Sequence, residues 1–259
     1  DDNAYITAQE KAVLIEELGG QQATATRREL YCEFVIEENR AVIPEFSEAR
    51  HVYKEGADLA IPVWRDKYTS MDLGFNDDTH ALFAWWDFHN AQLVVEDEVR
   101  RANELTSNIV KMVKEKELAV WGDRRPHMRI ADNDPQILHD MASLGLAFSP
   151  TRKTDKEAAI NSLRSMFAQG KIRIHERCAN LILQLKVGIW NSKRTDYERL
   201  PGIGHLDGVD ALVYLNRMID RNHNPEPAGY GQYHSTHFVM PAAKKRSQRF
   251  AGLSGILGR

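Results

Sequence analysis

Three predicted strands follow one another between residues 66 and 95, and only short turns separate them. The runs 67–72, 79–86 and 91–95 combine apolar, aromatic and β-branched residues over the short lengths typical of strands. The connections at 74–78 and 89–90 contain the Gly, Asn and Asp residues that favour turns. Because connections this short join antiparallel neighbours, the sequence predicts a three-stranded antiparallel meander. The fold must therefore place an antiparallel unit in its sheet.

The rest of the chain alternates helical and extended patterns. The first predicted element after the meander is a helix with Leu105, Ile109, Met112 and Val113 on one face. A strand at 127–131 and a helix capped by Asp134 follow, and then a helix that runs from the capping box Thr154-Asp155-Lys156-Glu157 to Gly170. The last predicted elements are a strand at 172–174, a helix at 181–189 and a helix at 207–219. Alternation of this kind indicates an α/β fold. We predict a mixed central sheet of five or more strands flanked by helices, which is the layout of RNase H-like domains.

Composition excludes some classes of protein. The 259 residues carry a net charge of -3, and 42% of them are hydrophobic, which is an ordinary globular balance. No apolar run approaches the roughly 20 residues of a membrane span, so we expect no membrane partner. Cys32 and Cys178 have no neighbours at zinc-ligand spacing, which argues against a zinc or disulfide scaffold. The segment from Phe238 to Arg259 contains basic residues but no Asp or Glu, which is typical of a basic tail.

Three aspartates stand at positions where a fold of this kind exposes functional groups. Asp72 ends the first predicted strand, Asp132 ends the fourth, and Asp207 begins the last long helix. If those two strands are neighbours, Asp72 and Asp132 lie side by side. Clustered carboxylates repel one another, and divalent cations with oxygen ligands, Mg²⁺ or Mn²⁺, relieve that repulsion. The structural alternatives are a turn residue at Asp72 and helix caps at the other two positions.

Other acidic residues are weaker metal candidates. Asp134 stands two residues after Asp132 and is an alternative second ligand, while Asp123 is a poorer one in a predicted loop. Asp210 lies one helical turn after Asp207. Asp210 has three candidate roles: a fourth metal ligand, a partner of His205 that supports the ligands without binding the metal, or a solvated charge. We prefer the role of a partner of His205.

Basic residues near the predicted acidic cluster are candidate contacts for a phosphate backbone. Arg124, Arg125 and Arg129 flank the second aspartate, and Lys153 and Lys156 lie at the start of a predicted helix. The structural alternative for each is a solvated surface charge. We expect all five to be DNA-binding residues.

Several motifs resemble those of one known family, the nuclease domain of the tailed-phage terminase large subunit. They are Met71-Asp72-Leu73-Gly74, Arg129-Ile130-Ala131-Asp132 leading into Pro135, and His205-Leu206-Asp207-Gly208-Val209-Asp210-Ala211-Leu212-Val213-Tyr214. The stretch 153–184 is also similar, with its Lys-bearing loop, its Ile-x-Ile strand and the following Cys. The resemblance covers about residues 1–222, and the ordered set of motifs is more specific than any one of them.

The resemblance implies an endonuclease that cuts concatemeric double-stranded DNA during genome packaging, with two Mg²⁺ or Mn²⁺ ions. Its three catalytic metal ligands fall on Asp72, Asp132 and Asp207. We expect His205 to support these ligands without itself binding the metal. The implied partners are DNA, the portal protein and the small terminase subunit, and the implied location is the host cytoplasm rather than the mature virion. The chain lacks a Gly-x-x-x-x-Gly-Lys-Ser/Thr loop, so no ATPase activity is expected of it.

The same resemblance divides the chain into three parts. Residues 1–50 correspond to an adapter that joins an ATPase domain to the nuclease, residues 51–222 to the nuclease domain, and residues 223–259 to a loop-rich basic tail. Because the chain begins without Met, we interpret it as part of a longer protein, and a ring assembly is expected only of the full-length subunit.

Two competing hypotheses remain open at this point. One is another RNase H-like nuclease, of the resolvase or integrase type, which would use the same acidic triad on a different DNA shape. The other is a non-catalytic module that docks a motor on the portal, with structural acidic residues. Metal-dependent cleavage separates the enzymes from the docking module.

Overall fold

A central seven-stranded sheet organises the part of the chain that the computed structural model describes, which is residues 7–17, 20, 40–56, 59, 61–74, 78–122 and 125–229. Its strands are β1 (Val52–Tyr53), β2 (Asp66–Asp72), β3 (Asp78–Asp87), β4 (Gln92–Ala102), β5 (Met128–Ala131), β6 (Ser149–Pro150) and β7 (Ile172–His175). Their spatial order is β1-β7-β4-β3-β2-β5-β6. The pairs β2–β3 and β3–β4 are antiparallel, and the other four pairs are parallel. The predicted meander and mixed sheet are confirmed.

Helices cover both faces of this sheet. The described helices are α1 (Ala8–Glu17), α2 (Glu48–His51), α3 (Thr106–Trp121), α4 (Pro135–Ser143), α5 (Lys156–Ala168), α6 (Ala179–Val187) and α7 (Asp207–Met218), and those that pack on the sheet faces are α3 to α7. On one face, apolar residues of α5, α6 and α7 pack against Tyr68, Leu82 and Ile130 of the sheet. On the other face, residues of α3 and α4 pack against Met71, Phe83 and Ala131. The result is a three-layer α/β/α arrangement in which alternate strand residues serve opposite layers.

Two compact units divide the chain, Asp1–Pro225 and Glu226–Arg259. The sheet and helices above belong to the first. Of the predicted adapter, residues 1–6, 18–19 and 21–39 lie outside the described residues, and so does the basic tail from residue 230 onward. Within the described part, no helix combines the length and the apolarity needed to cross a membrane.

One predicted helix start is wrong. The pattern predicted a capping box at Thr154, but α5 begins at Lys156 and its N-cap residue is Asp155, which has left-handed backbone angles (φ 57°, ψ 52°) and no side-chain cap. The guanidinium of Arg217, on α7, donates to the carbonyls of Arg152, Thr154 and Asp155 at 2.6, 2.5 and 3.2 Å. These tertiary bonds hold the loop in a conformation that local capping does not select.

The contact between β2 and α7 sets the position of the functional side chains. The Ser70 hydroxyl donates to the Ala211 carbonyl at 2.7 Å, and the Gly208 amide donates to Gln184 Oε1 at 2.8 Å. A Cβ atom at Gly208 would lie 2.5 Å from His80 Cε1, so only glycine permits this approach of the helix to the sheet. The first turn of α7 is therefore held beside the end of β2.

Candidate metal centre

An acidic cluster forms where β2 and β5 end and α7 begins. Met71 and Ala131 are partners in the parallel β2–β5 register, so Asp72 and Asp132 leave the sheet side by side, as the sequence predicted. Asp207 is the first residue of α7, and Asp210 lies one turn later. Asp72, Asp207 and Asp210 are 6%, 3% and 8% exposed. Three nearly buried carboxylates thus converge on one open cleft with a volume of about 430 Å³.

Asp72 is the most perturbed of these carboxylates. Its Oδ1 accepts a 2.9 Å hydrogen bond from the Tyr214 hydroxyl. Burial, followed by repulsion from Asp210 and Asp207, raises the pKa of Asp72 to about 7, although Lys153 and the Tyr214 bond act in the opposite direction. The cluster is therefore short of positive charge, which is the condition that a bound cation corrects.

His205 and Asp207 form a bonded pair at the rim of the cleft. His205 Nδ1 lies 3.0 Å from Asp207 Oδ1, and its Nε2 lies 3.5 Å from Asp196. Burial lowers the pKa of the imidazole, but the bond to Asp207 outweighs it and the net pKa is raised. One ligand atom from each of Asp72, His205 and Asp207 lies within 4.8 Å of the others. His205 is thus close enough to be a ligand itself, besides the supporting role predicted for it.

Asp210 has different partners from those predicted. It accepts from the Tyr197 hydroxyl at 2.8 Å and from Lys156 Nζ at 3.3 Å, and that ammonium lies 3.6 Å from the Tyr197 ring centroid. Burial raises the pKa of Asp210, against the lowering effects of Lys156 and Tyr197. Interpretation as a solvated charge is wrong because the residue is buried. His205 makes its hydrogen bond to Asp207 rather than to Asp210. Its predicted pairing with Asp210 is limited to an electrostatic attraction, which lowers the pKa of Asp210 and raises that of His205.

The neighbouring residues Asp132 and Asp134 make different contacts. Asp132 Oδ2 lies 2.5 Å from Lys153 Nζ. Burial lowers the pKa of Lys153, but the nearby carboxylates of Asp132 and Asp72 have the larger effect, so the pKa is raised. Asp134 is the N-cap of α4 and accepts from the Ile137 amide at 3.2 Å, as its position before proline predicted. The geometry therefore favours Asp132 over Asp134 as the second metal ligand.

Lys153 and Lys156 lie in the cleft, where the sequence suggested phosphate contacts. The Lys156 ammonium lies 2.7 Å from Asp196, and this ion pair, working against burial, lowers the pKa of Asp196 to about 2. The Lys153 side chain is 56% exposed. Of the two lysines, Lys153 is therefore the freer to contact a phosphate.

Two of the three arginines predicted to flank the cluster, Arg125 and Arg129, lie elsewhere. Arg129 makes two hydrogen bonds of 2.7 and 2.6 Å to Glu117 of α3, on the sheet face opposite α7. Arg125 lines a depression beside Asp66, at the other end of β2. Their placement next to the acidic cleft is wrong, because strand alternation and strand direction carry these side chains away. Arg124 and Asp123 lie outside the described residues.

Several cleft residues were not predicted. They are Arg152, Thr195, Asp196, Tyr197, Tyr214 and Arg217. Tyr214 had a detectable signal, since it lies four residues after Asp210 and seven after Asp207, on the same helical face. Tyr197 and Asp196 lie in an irregular segment without periodicity, so their contacts arise only from the tertiary fold.

Comparison with solved structures identifies the fold. No protein-family model and no curated protein matches the sequence. Among solved structures, the P22 large terminase nuclease domain superposes with a TM-score of 0.54 at 14% identity, over 67% of this chain and 89% of that one. The fold is that of large-terminase nuclease domains. The predicted RNase H-like architecture is thereby confirmed.

Two further structures show the same terminase nuclease fold. A large terminase from a thermophilic bacteriophage gives a TM-score of 0.56 at 16% identity and covers 85% of this chain, which spans 53% of that protein. The large terminase nuclease of thermophilic phage G20c, solved with bound magnesium, gives 0.51 at 15% identity, over 70% of this chain and 98% of that one. The chain therefore spans about half of the first of these proteins and nearly all of the second, which is an isolated nuclease domain.

Proposed function

We propose that this chain is a metal-dependent endodeoxyribonuclease that cuts concatemeric double-stranded phage DNA during genome packaging. The observation that carries the proposal is the convergence of buried Asp72, Asp207 and Asp210, with Asp132 beside them, on an open cleft. Such a cleft on a terminase nuclease fold suits a phosphodiester, whose hydrolysis concentrates negative charge on the phosphate.

The donor set fits hard divalent cations. Asp72, Asp132 and Asp207 offer carboxylate oxygens, as Mg²⁺ and Mn²⁺ prefer, and His205 and Asp210 are further donors within the same cleft. The raised pKa of Asp72 indicates that these carboxylates need an added positive charge in order to ionise together. We propose a site for two such ions, which when bound would activate a water molecule and stabilise the leaving oxygen.

The protein's own contribution is to orient these carboxylates. Tyr214 fixes Asp72, and His205 fixes Asp207, each through one hydrogen bond. Lys156 and Tyr197 hold Asp210 in the same way. Lys153 and Arg152 line the open side, where cationic side chains would position a DNA phosphate. Substrate and ligands would thereby meet in a fixed geometry.

The remaining features of the proposal concern the whole protein. We propose that the chain acts in the host cytoplasm as part of a longer large subunit, with the portal protein and the small terminase subunit as partners. A ring assembly is proposed only for that longer subunit. The similarity to the longer of the two thermophilic-phage terminases, of which this chain spans 53%, supports only the proposal that the chain is part of a longer subunit.

Cleavage of supercoiled plasmid tests the proposal. The purified chain is incubated with Mn²⁺, with Mg²⁺ or with EDTA, alongside Asp72→Asn, Asp207→Asn and the control Asp134→Asn. We expect metal-dependent relaxation and linearisation by wild type and Asp134→Asn, and loss of at least about a hundredfold in the two cleft variants. Cutting that survives in both cleft variants would disprove the site. A folded wild type that cuts with neither metal would favour the docking module.

A further inference from the structure

A second cluster of metal-ligating side chains lies at the opposite end of β2 from the acidic cleft. It consists of Asp66, His127 and His223. Asp66 begins the strand that Asp72 ends, and six residue steps at about 3.3 Å put the two clusters about 20 Å apart. The proposed nuclease chemistry does not use these three residues.

The three side chains converge through their polar atoms. His223 Nδ1 lies 2.6 Å from Asp66 Oδ2, and His127 Nδ1 lies 3.5 Å from Asp66 Oδ1. The two imidazole rings stack, with centroids 5.2 Å apart and an interplanar angle of 24°. One ligand atom from each residue lies within 4.8 Å of the other two. A single ion between them would need only small side-chain rotations to reach all three.

Backbone contacts hold these residues in position before any ion arrives. The His127 amide donates to the Lys67 carbonyl at 2.7 Å, which places His127 beside the start of β2. The Asp220 carboxylate accepts from the His223 amide at 3.1 Å, and the Asp220 amide donates to the Tyr68 hydroxyl at 3.2 Å. Three segments distant in sequence thus present their ligands from a fixed frame, which reduces the ordering cost of binding.

Two cations that line the same depression, Arg65 and Lys67, have aromatic or acidic partners outside the cluster. Asp66 and Tyr68 share one face of β2, whereas Lys67 lies on the other, where its ammonium is 5.9 Å from the Trp121 ring centroid. Arg65 contacts Glu96 at 3.6 Å and lies over the Trp85 ring. Arg125 is the further cationic residue lining the depression. The Asp66 carboxylate contacts both imidazoles, at 2.6 and 3.5 Å.

We propose that Asp66, His127 and His223 form a second metal site, selective for a borderline transition ion such as Zn²⁺ rather than for Mg²⁺. Two imidazoles and one carboxylate are a donor set typical of Zn²⁺, while Mg²⁺ prefers oxygen ligands alone. The Asp66 side chain is 8% exposed, but those of His127 and His223 are 34% and 47% exposed, so water can complete the coordination. The ion would link the segment after α7 to the start of β2.

Zinc titration in the presence of millimolar Mg²⁺ tests this proposal, because magnesium would compete with zinc for oxygen-rich sites such as the proposed one in the acidic cleft. The full chain is titrated calorimetrically with Zn²⁺, together with His127→Gln, His223→Gln and the control His205→Gln. We expect one equivalent of Zn²⁺ on wild type and on His205→Gln, and an affinity at least about tenfold weaker in the other two variants. The melting temperature of wild type should rise by roughly 5 °C when free Zn²⁺ is at a hundred times its dissociation constant.

The contrary outcomes are distinct from failure of the nuclease proposal. Absence of zinc binding by wild type overturns the second site whatever the plasmid assay gives. Binding that is lost in His205→Gln alone assigns the ion to the acidic cleft and overturns the second site. Equal melting temperatures of all variants in EDTA establish that the substitutions left the fold intact.

Discussion

The hydroxyl of Tyr214 donates a 2.9 Å hydrogen bond to the carboxylate of Asp72, across the junction of α7 and β2. Because α7 also carries Asp207 in its first turn, this one bond fixes two proposed ligands relative to each other. A tyrosine in this role leaves one oxygen of Asp72 directed by the protein and the other available to a metal.

Removing that hydroxyl should slow cleavage without unfolding the protein. Tyr214→Phe keeps the ring but leaves Asp72 unoriented, so we expect DNA cleavage to fall about tenfold or more, in a single-turnover assay with Mn²⁺. The free energy of unfolding should fall by only about 1 kcal/mol, because one hydrogen bond is lost. Tyr53→Phe, remote from the cleft, is the matched control. An unchanged rate in Tyr214→Phe would show that the bond has no part in the chemistry.

The metal-free protein should lose stability as the pH rises. The pKa of Asp72 is raised from 3.8 to about 7 by burial and by the other carboxylates, so the folded state binds this proton more tightly than the unfolded state. That stabilisation is complete below pH 3.8 and disappears as the pH rises through about 7. In EDTA, the melting temperature should therefore fall across this window, and Asp72→Asn should flatten the profile.

Two comparisons sharpen the pH experiment. Exposed Asp140→Asn should keep the wild-type profile, since it lies outside the cluster. Adding Mg²⁺ should restore stability at high pH, because a cation bound by the ionised cluster offsets its repulsion. If the wild-type melting temperature in EDTA does not change between acidic and neutral pH, the pKa of Asp72 is not raised by its burial in the cluster.

Adding a methyl group at Gly208 should disturb both the fold and the cleft. Its Cβ would lie 2.5 Å from His80 Cε1, 2.7 Å from His80 Nδ1 and 2.8 Å from Gln184 Oε1, all in the packed interior. We expect Gly208→Ala to lower the free energy of unfolding by about 1–3 kcal/mol and to shift Asp207 away from Asp72. Chemical denaturation and the plasmid assay measure the two effects. A fully stable and active variant would mean that α7 approaches the sheet less closely.

Lys153 should contribute to DNA affinity, and it is best tested in an Asp207→Asn background in which cutting is suppressed. Lys153→Gln should weaken binding to a DNA duplex and reduce the slope of log affinity against log salt by about 1, because one phosphate contact is lost. Lys111→Gln is the control, since Lys111 is exposed on α3 and pairs with Glu115 at 3.9 Å. Identical salt slopes for the two variants would remove Lys153 from the DNA interface.

Arg129→Gln should instead affect stability. Its guanidinium pairs with Glu117, which is 7% exposed, so the substitution leaves a nearly buried carboxylate without its cation. We expect a loss of about 3 kcal/mol or more in the free energy of unfolding, with unchanged DNA affinity at temperatures where the variant is folded. Weakened DNA binding by a fully folded Arg129→Gln would restore the original interpretation of this residue as a DNA contact.

Local pattern and strand order predicted much of this fold. The meander follows from short turns between extended runs, and the pairing of β2 with β5 brings Asp72 and Asp132 together as expected. The strands β1 and β6 have two residues each, which is too short for any periodicity. Alternation along β5 does place Arg129 and Asp132 on opposite faces, so that error was avoidable from the sequence.

The remaining features depend on contacts between distant segments. Tyr197 and Asp210 meet through an irregular loop, and Asp66, His127 and His223 come from three separate parts of the chain. No spacing rule connects such residues, because their distances are set by the packing of the sheet and of α7. The left-handed Asp155 belongs to the same group, since its conformation is held by Arg217.

All seven residues of β2 are buried, and the strand has a hydrogen-bonded neighbour on each side. Strands in this position exchange their amide protons only when the whole domain opens. Asp72 and Asp66 are therefore attached to the part of the molecule that we expect to open last on heating or in denaturant. Lys153 lies on an exposed loop, which we expect to open at a lower free energy than β2. The ligands for metal would thus stay in register while the groups that meet DNA adjust to each new stretch of duplex.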